Sequence, residues 1–233
     1  MKYLLFDLDE TIFDFKQAEA AAVKRTLGQL SLPAGDEVAR RYSEINKSQW
    51  ERLERREITR EQVLVGRFQI LFQELGVSAD PAAAREIYES YLSQGHYFVP
   101  GAEELLKELF GRYQLYLVSN GTAKVQEGRL RSAGIIPYFQ EIFISQEVGY
   151  NKPDVRFFDQ CFGRIPGFAP REAIIIGDSL TSDMQGGRNA GITTCWFNPE
   201  KHPCTMEWQP DYEIHELGEL PGLLAHLSEP KPV

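Results

Sequence analysis

The sequence predicts an α/β fold, a parallel sheet with covering helices, interrupted after its first strand by a helical bundle. Three observations carry this. The apolar runs Leu4-Leu5-Phe6, Leu115-Tyr116-Leu117-Val118 and Ile174-Ile175-Ile176 each end in a short polar or glycine-containing turn, as strands of a buried parallel sheet do. From Pro100 onward such runs alternate with helical periodicity, the signature of parallel crossovers. Between residues 15 and 98 there are four helical stretches and no convincing strand.

The first strand, Lys2 to Phe6, ends abruptly in Asp7-Leu8-Asp9-Glu10-Thr11. Asp7 and Asp9 can meet in one small volume at its carboxyl end, the edge at which open α/β sheets bind ligands. Like charges crowded there need a cation or a proton. The pair points to a hard metal ion, to general acid and base work, or to both, unless it is only an acidic turn.

Helical spacing then runs through Ala18, Ala22, Val23, Leu27 and Leu30 and is broken at Pro33-Ala34-Gly35. A second helix, about 36 to 56, places Val38, Tyr42, Ile45, Gln49 and Leu53 on one face and charges on the other. Thr59 with Gln62 forms a capping box for a third helix that closes at Gly76. Asp80-Pro81 opens a fourth, with Asp80 as N-cap and Pro81 at the first helical position.

The α/β part resumes with helix 102–110 and the strand Gln114 to Val118, which ends in Ser119-Asn120-Gly121. Helix 123–133, strand 141–144 and helix 155–162 follow, the last introduced by Lys152-Pro153. The strand Ala173 to Ile176 ends in Gly177-Asp178-Ser179, and helix 184–190, strand 193–197 and helix 220–227 complete the pattern, with residues 229–233 expected to fray. The expected division is residues 1–14 and 99–233 as α/β core and 15–98 as helical cap. A bundle inserted there can exclude water and add substrate contacts.

A chain of 233 residues can bury its core without staples. Cys161, Cys195 and Cys204 form no CxxC pair, which suits a reducing cytosol. No apolar run approaches a membrane span and no leader precedes the first strand, so the expectation is a soluble, cytoplasmic protein without a membrane partner. The net charge of −9 argues against binding a nucleic acid polymer. A small anion needs only a few local donors and a metal, and remains compatible.

If the strands are parallel, Asp7, Asp9, Ser119, Asn120, Lys152, Asp178 and Asp183 all reach one edge. Three carboxylates there favour Mg2+. A hydroxyl, an amide turn and an ammonium beside them neutralise and orient a phosphoryl group.

In these motifs the chain resembles the haloacid dehalogenase superfamily phosphatases: Asp7-Leu8-Asp9-Glu10-Thr11 is similar to their first motif, Ser119-Asn120-Gly121 to the second, Lys152-Pro153 to the third, and Gly177-Asp178-Ser179 with Asp183 to the fourth. The resemblance implies a Rossmann-like sheet of order 5-4-1-2-3 and a helical cap inserted after the first motif. It implies Asp7 as nucleophile and Asp9 as acid and base. Mg2+ would be held by the Asp7 carboxylate, the Asp9 main-chain carbonyl and Asp178, supported by Asp183. Ser119, the Asn120 amide and Lys152 would hold the phosphate. Dehalogenases of the family lack the second aspartate, because a departing halide needs no proton whereas an alkoxide does. Asp9 therefore favours a phosphatase. Glu10 stands where glycine is commoner.

A narrower resemblance, to house-cleaning pyrimidine 5'-nucleotidases, lies in Asp9-Glu10-Thr11, Asn46-Lys47 with Trp50, Ile58-Thr59 with Gly66-Arg67-Phe68, Ser145 to Gly149, and Gly191 to Trp196. It implies nucleoside 5'-monophosphates such as UMP, dUMP and dTMP as small-molecule phosphomonoester substrates, with Trp50 and Arg67 as substrate candidates. The alternatives are a sugar-phosphate or phosphoglycolate-type phosphatase, a phosphomutase on the same scaffold, and a binding module that has lost turnover.

Overall fold

In the computed structural model, which describes residues 1–228, the predicted frayed tail 229–233 lies outside the described residues. In chain order the elements are β1 (Tyr3–Phe6), α1 (Phe15–Gln29), α2 (Asp36–Glu54), α3 (Arg60–Leu75), α4 (Pro81–Leu92), α5 (Ala102–Leu109), β2 (Gln114–Ser119), α6 (Ala123–Ala133), β3 (Glu141–Ile144), α7 (Ser145–Val148), α8 (Val155–Arg164), β4 (Ala173–Gly177), α9 (Gln185–Asn189), β5 (Thr193–Phe197), β6 (Tyr212–Ile214) and α10 (Leu220–Ser228). The six strands form one parallel sheet of order β3-β2-β1-β4-β5-β6. Read from the other edge, this is the expected 5-4-1-2-3 arrangement with β6 added outside β5. Three residues are too few to show alternation, so β6 left no periodic signal.

β1 lies between β2 and β4, with Tyr3 opposite Gln114 on one side and Ala173 on the other. All four of its residues are fully buried. On one face Tyr3 and Leu5 join Tyr116, Val118 and Ile175 against Phe157, Phe158 and Cys161 of α8. Burying a phenylalanine of this kind stabilises by about 1.5–3 kcal/mol relative to leaving it exposed.

The described chain parts into two compact units, one of residues 1–14, 98–123 and 134 onward, the other of Phe15–Tyr97 with Lys124–Ala133. The second unit is helical. Ala22, Val23, Tyr42, Phe68, Leu71, Phe72 and Tyr88 form its core, with the Tyr42, Phe68 and Tyr88 ring centroids 5.0–5.5 Å apart. The Thr59 and Gln62 capping box is present, α3 closes at Gly76 with φ 64°, and Asp80 caps α4 ahead of Pro81. Helix α6 falls within the stretch expected to be core, yet residues 124–133 pack in this unit. Val125 enters its apolar cluster, Arg129 donates from Nε to the Gly95 carbonyl at 2.9 Å, and a Cβ on Gly128 would stand 2.8 Å from Ser93. Among the described residues no helix is long and apolar enough to cross a membrane.

Candidate active site

The register of β1 brings the site together. Phe6 pairs with Leu117 of β2 and Ile176 of β4, so Asp7, Ser119 and Asp178 leave the sheet within about one residue of the same level at its carboxyl edge. The Asp7 N–H still donates to the Ile176 carbonyl at 2.9 Å, which fixes the main chain under its carboxylate. Ser119 is buried at the end of β2.

Lys152 reaches this edge from the loop before α8. Its side chain is buried, and Nζ donates to Asp7 Oδ1 at 2.5 Å, Asp183 Oδ1 at 2.6 Å and the Val118 carbonyl at 2.7 Å. All three ammonium hydrogens are thereby directed at protein oxygens.

Asp183 sits in a π turn over Leu180–Met184 that precedes α9, so the predicted helix start at 184 is instead a wider turn. Ser179 caps it, accepting from the Ser182 N–H at 3.1 Å. The Ser179 N–H in turn donates to Asp183 Oδ2 at 3.2 Å, turning that carboxylate inward. A Cβ on Gly177 would lie 2.3 Å from Asp183 Oδ2, which explains the glycine that follows the apolar run. Trp196 of β5 donates from Nε1 to the Asp178 carbonyl at 2.8 Å and steadies its main chain. The sequence included Trp196 in the stretch from Gly191 but gave its indole no partner; the pairing of Gly177 with Trp196 brings it there.

The carboxylates of Asp7, Asp178 and Asp183 offer ligand atoms within 4.8 Å of one another. Burial pushes Asp7 up to about 8, against the pull of Lys152 and with the push of Asp183 and Asp9. Asp178 is raised well above the usual carboxylate range by desolvation and by the Asp7 and Asp183 charges. Burial works against the Lys152 charge, but Asp183 and Asp7 outweigh it and hold the ammonium firmly protonated. Three crowded carboxylates sharing one ammonium form a donor set suited to a hard divalent cation. Among these three is Asp183, for which the sequence suggested a supporting place, whereas the Asp9 carboxylate lies outside the group.

Asp9 is partly exposed in the turn after β1, close enough to Asp7 to raise its pKa. Glu10, next to it, has φ 60°, the left-handed region that glycine enters without strain. The side chain of Asn120 does not point away from the protein: it is bonded to the main chain of Lys152. In the helical unit Trp50 is partly buried, with the Arg60 guanidinium 5.5 Å from its ring centroid. Arg67 is buried. It donates from Nη1 to Asn46 Oδ1 at 2.9 Å, lies 4.7 Å from the Tyr88 ring centroid, and spends its charge inside that unit.

Three likenesses give this geometry a context. The crystal structure of the HAD-hydrolase YfnB from Bacillus subtilis, bound to magnesium, superposes with a TM-score of 0.91 at 40% identity, covering 96% of this chain and 98% of that one. Pyrimidine 5'-nucleotidase PynA of Streptococcus pneumoniae is 38% identical over 220 residues, 94% of this chain and 93% of its own. Pyrimidine 5'-nucleotidase YjjG of Escherichia coli is 30% identical over 222 residues, 95% of this chain and 97% of its own. The haloacid dehalogenase-like hydrolase family itself matches residues 4–197, and the chain belongs to that family of enzymes.

Proposed function

We propose that the protein is a Mg2+-dependent phosphomonoester hydrolase that acts through an aspartyl phosphate on pyrimidine nucleoside 5'-monophosphates. The observation that carries the chemistry is the Asp7 carboxylate at the end of the central strand, 2.5 Å from Lys152 Nζ. Support for the nucleotide comes from the two near-full-length relatives named pyrimidine 5'-nucleotidases.

The donor set fits a cation that Asp7 and Asp178 would hold, with the Asp9 main-chain carbonyl and with Asp183 beside them. When bound, Mg2+ supplies positive charge that draws electron density from the phosphoryl oxygens and keeps Asp7 ionised. An Asp7 oxygen attacks phosphorus, forming a carboxylate O–P bond as the ester P–O bond breaks. Asp9, outside the carboxylate group, protonates the departing oxygen, then takes a proton from the water that cleaves the aspartyl phosphate and restores Asp7. Lys152 balances charge as it moves between the Asp7 and phosphoryl oxygens, while the Ser119 hydroxyl and the Asn120 main-chain N–H orient the phosphoryl group.

A phosphate-release panel with Mg2+ tests this reading. UMP, dUMP and dTMP are expected to be turned over with higher kcat/KM than purine nucleotides or sugar phosphates. A preference for sugar phosphates defeats the nucleotide assignment, and no release from any monoester defeats the phosphatase. Metal dependence carries its own signature. An ordinary aspartate titrates near 3.8, but Asp7 in the fold is pushed up to about 8. The folded, metal-free protein therefore binds the extra proton between those values, and the stability that this one group contributes is present in full below the lower one and is lost as pH rises through the upper. The gain in Tm on adding Mg2+ is expected to be larger at about pH 8 than at about pH 5, since cation and proton compete for the same oxygens. Equal gains at both remove Asp7 and Asp178 from the metal site.

A further inference from the structure

Asn120 follows β2 in the turn after Ser119, and its side-chain amide grips both main-chain groups of Lys152. Nδ2 donates to the Lys152 carbonyl at 2.9 Å, and Oδ1 accepts from the Lys152 N–H at 2.9 Å. One partner is an acceptor and the other a donor, so a single orientation of the amide satisfies both. Nδ2 also lies 3.2 Å from Ser182 Oγ, in the turn that carries Asp183. The next residue is gripped from the other side, where Asn189 donates from Nδ2 to the Pro153 carbonyl at 3.0 Å. Gly186 makes room for this. A Cβ there would stand 2.7 Å from the Phe158 ring and 3.3 Å from Pro153 Cα.

We infer that the Asn120 side chain is a positioning residue for Lys152, an inference that rests on the phosphatase reading above. A lysine side chain is long and flexible, yet Nζ must reach Asp7, Asp183 and the Val118 carbonyl together. Four rotatable bonds deliver it there only from a fixed starting point. Asn120 supplies that point by tying the Lys152 main chain to the end of β2, the strand whose Val118 carbonyl also receives the ammonium. Its side chain thereby joins the strand end to the loop, and acts on the reaction through Lys152 without touching the substrate.

A double-mutant cycle on p-nitrophenyl phosphate hydrolysis tests this. Asn120→Ala is expected to lower kcat/KM by about 10- to 100-fold, the scale of a misplacement of roughly 1 Å. In a Lys152→Met background the same substitution is expected to change it by less than about twofold, because its effect passes through the ammonium. Asn198 is the control, since it grips His202 with the same pair of bonds, at 2.9 and 3.0 Å. Asn198→Ala is expected to leave kcat/KM within about twofold of wild type. Equal losses from Asn120→Ala in both backgrounds, no loss in the wild-type background, or a matching loss from Asn198→Ala each overturn the inference. Should Asn120→Ala not fold, Asn120→Ser, which also cannot span both main-chain groups, enters the same cycle with the same outcomes. An inactive wild type overturns the phosphatase reading and the inference with it, whereas an active wild type with additive losses overturns the inference alone.

Discussion

Asp7→Asn is expected to lower turnover of any phosphomonoester by roughly 10⁴- to 10⁶-fold, the range for loss of a covalent nucleophile. The substitution keeps the shape of the side chain and removes only the attacking charge, so the loss reads chemistry and not packing. Stability is expected to move the other way. Asp7 is one of three carboxylates crowded within 4.8 Å, and its neutral replacement relieves repulsion from Asp178 and Asp183. Lys152 keeps Asp183 and the Val118 carbonyl as partners. Measured without metal, Tm of the variant should therefore match or exceed that of wild type, while kcat collapses. Near-normal turnover in protein checked by mass spectrometry for reversion to aspartate would refute covalent catalysis at Asp7.

Lys152→Met is expected to damage both properties. The Lys152 side chain is 1% exposed, and its ammonium bonds to two of the three carboxylates. Removing one partner of a buried ion pair costs about 3–5 kcal/mol, which for a chain of this size lowers Tm by roughly 6–20 °C. On the proposed mechanism, activity is expected to fall about 10³-fold or more, since the charge assigned to balance the phosphoryl oxygens goes with it. Mg2+ should restore part of the lost stability, because it compensates the same carboxylates, but not the lost rate. A variant with unchanged Tm in the absence of metal would show that the carboxylates do not depend on Lys152. Arginine is no conservative replacement here, because three separate oxygens receive the three hydrogens of a compact ammonium.

These groups were legible because each stands at a strand end or helix start, and such boundaries show in local pattern. Asp7 closes an apolar run, Asp178 follows another, and Lys152 precedes Pro153 and a helix. Once a parallel sheet was inferred, one edge was their only common destination. What stayed hidden depends on contacts across the chain. The span of α6 was read correctly from periodicity, but its partners, Ser93 and Gly95, are more than 30 residues away. Arg67 is a substrate candidate through the nucleotidase resemblance, and the rings of Tyr42, Phe68 and Tyr88 lie 4.7–6.0 Å from its guanidinium. The Trp196 indole and the Asn120 amide reach main-chain groups of Asp178 and Lys152, and main-chain groups have no letter in a sequence. Asp183 takes a supporting place from the family resemblance and by itself reads as a helix cap; a π turn brings its carboxylate within 4.8 Å of those of Asp7 and Asp178.

The placement of β1 also governs how the enzyme is made. Tyr3 pairs with Gln114 and with Ala173, so the strand bearing Asp7 leaves the ribosome first and then waits for both neighbours. At roughly 5–20 residues per second, its first partner is synthesised about 5–20 s later and its second about 10–30 s later. Throughout that interval Tyr3-Leu4-Leu5-Phe6, fully buried in the finished sheet, is an unpaired apolar edge on a growing chain. The helices of residues 15–92 pack largely on one another, with α1 against α4, and their pairing spans a shorter stretch of chain than that of β1 with β4. Of the strands in the sheet, the one that carries Asp7 thus waits longest for its full set of neighbours.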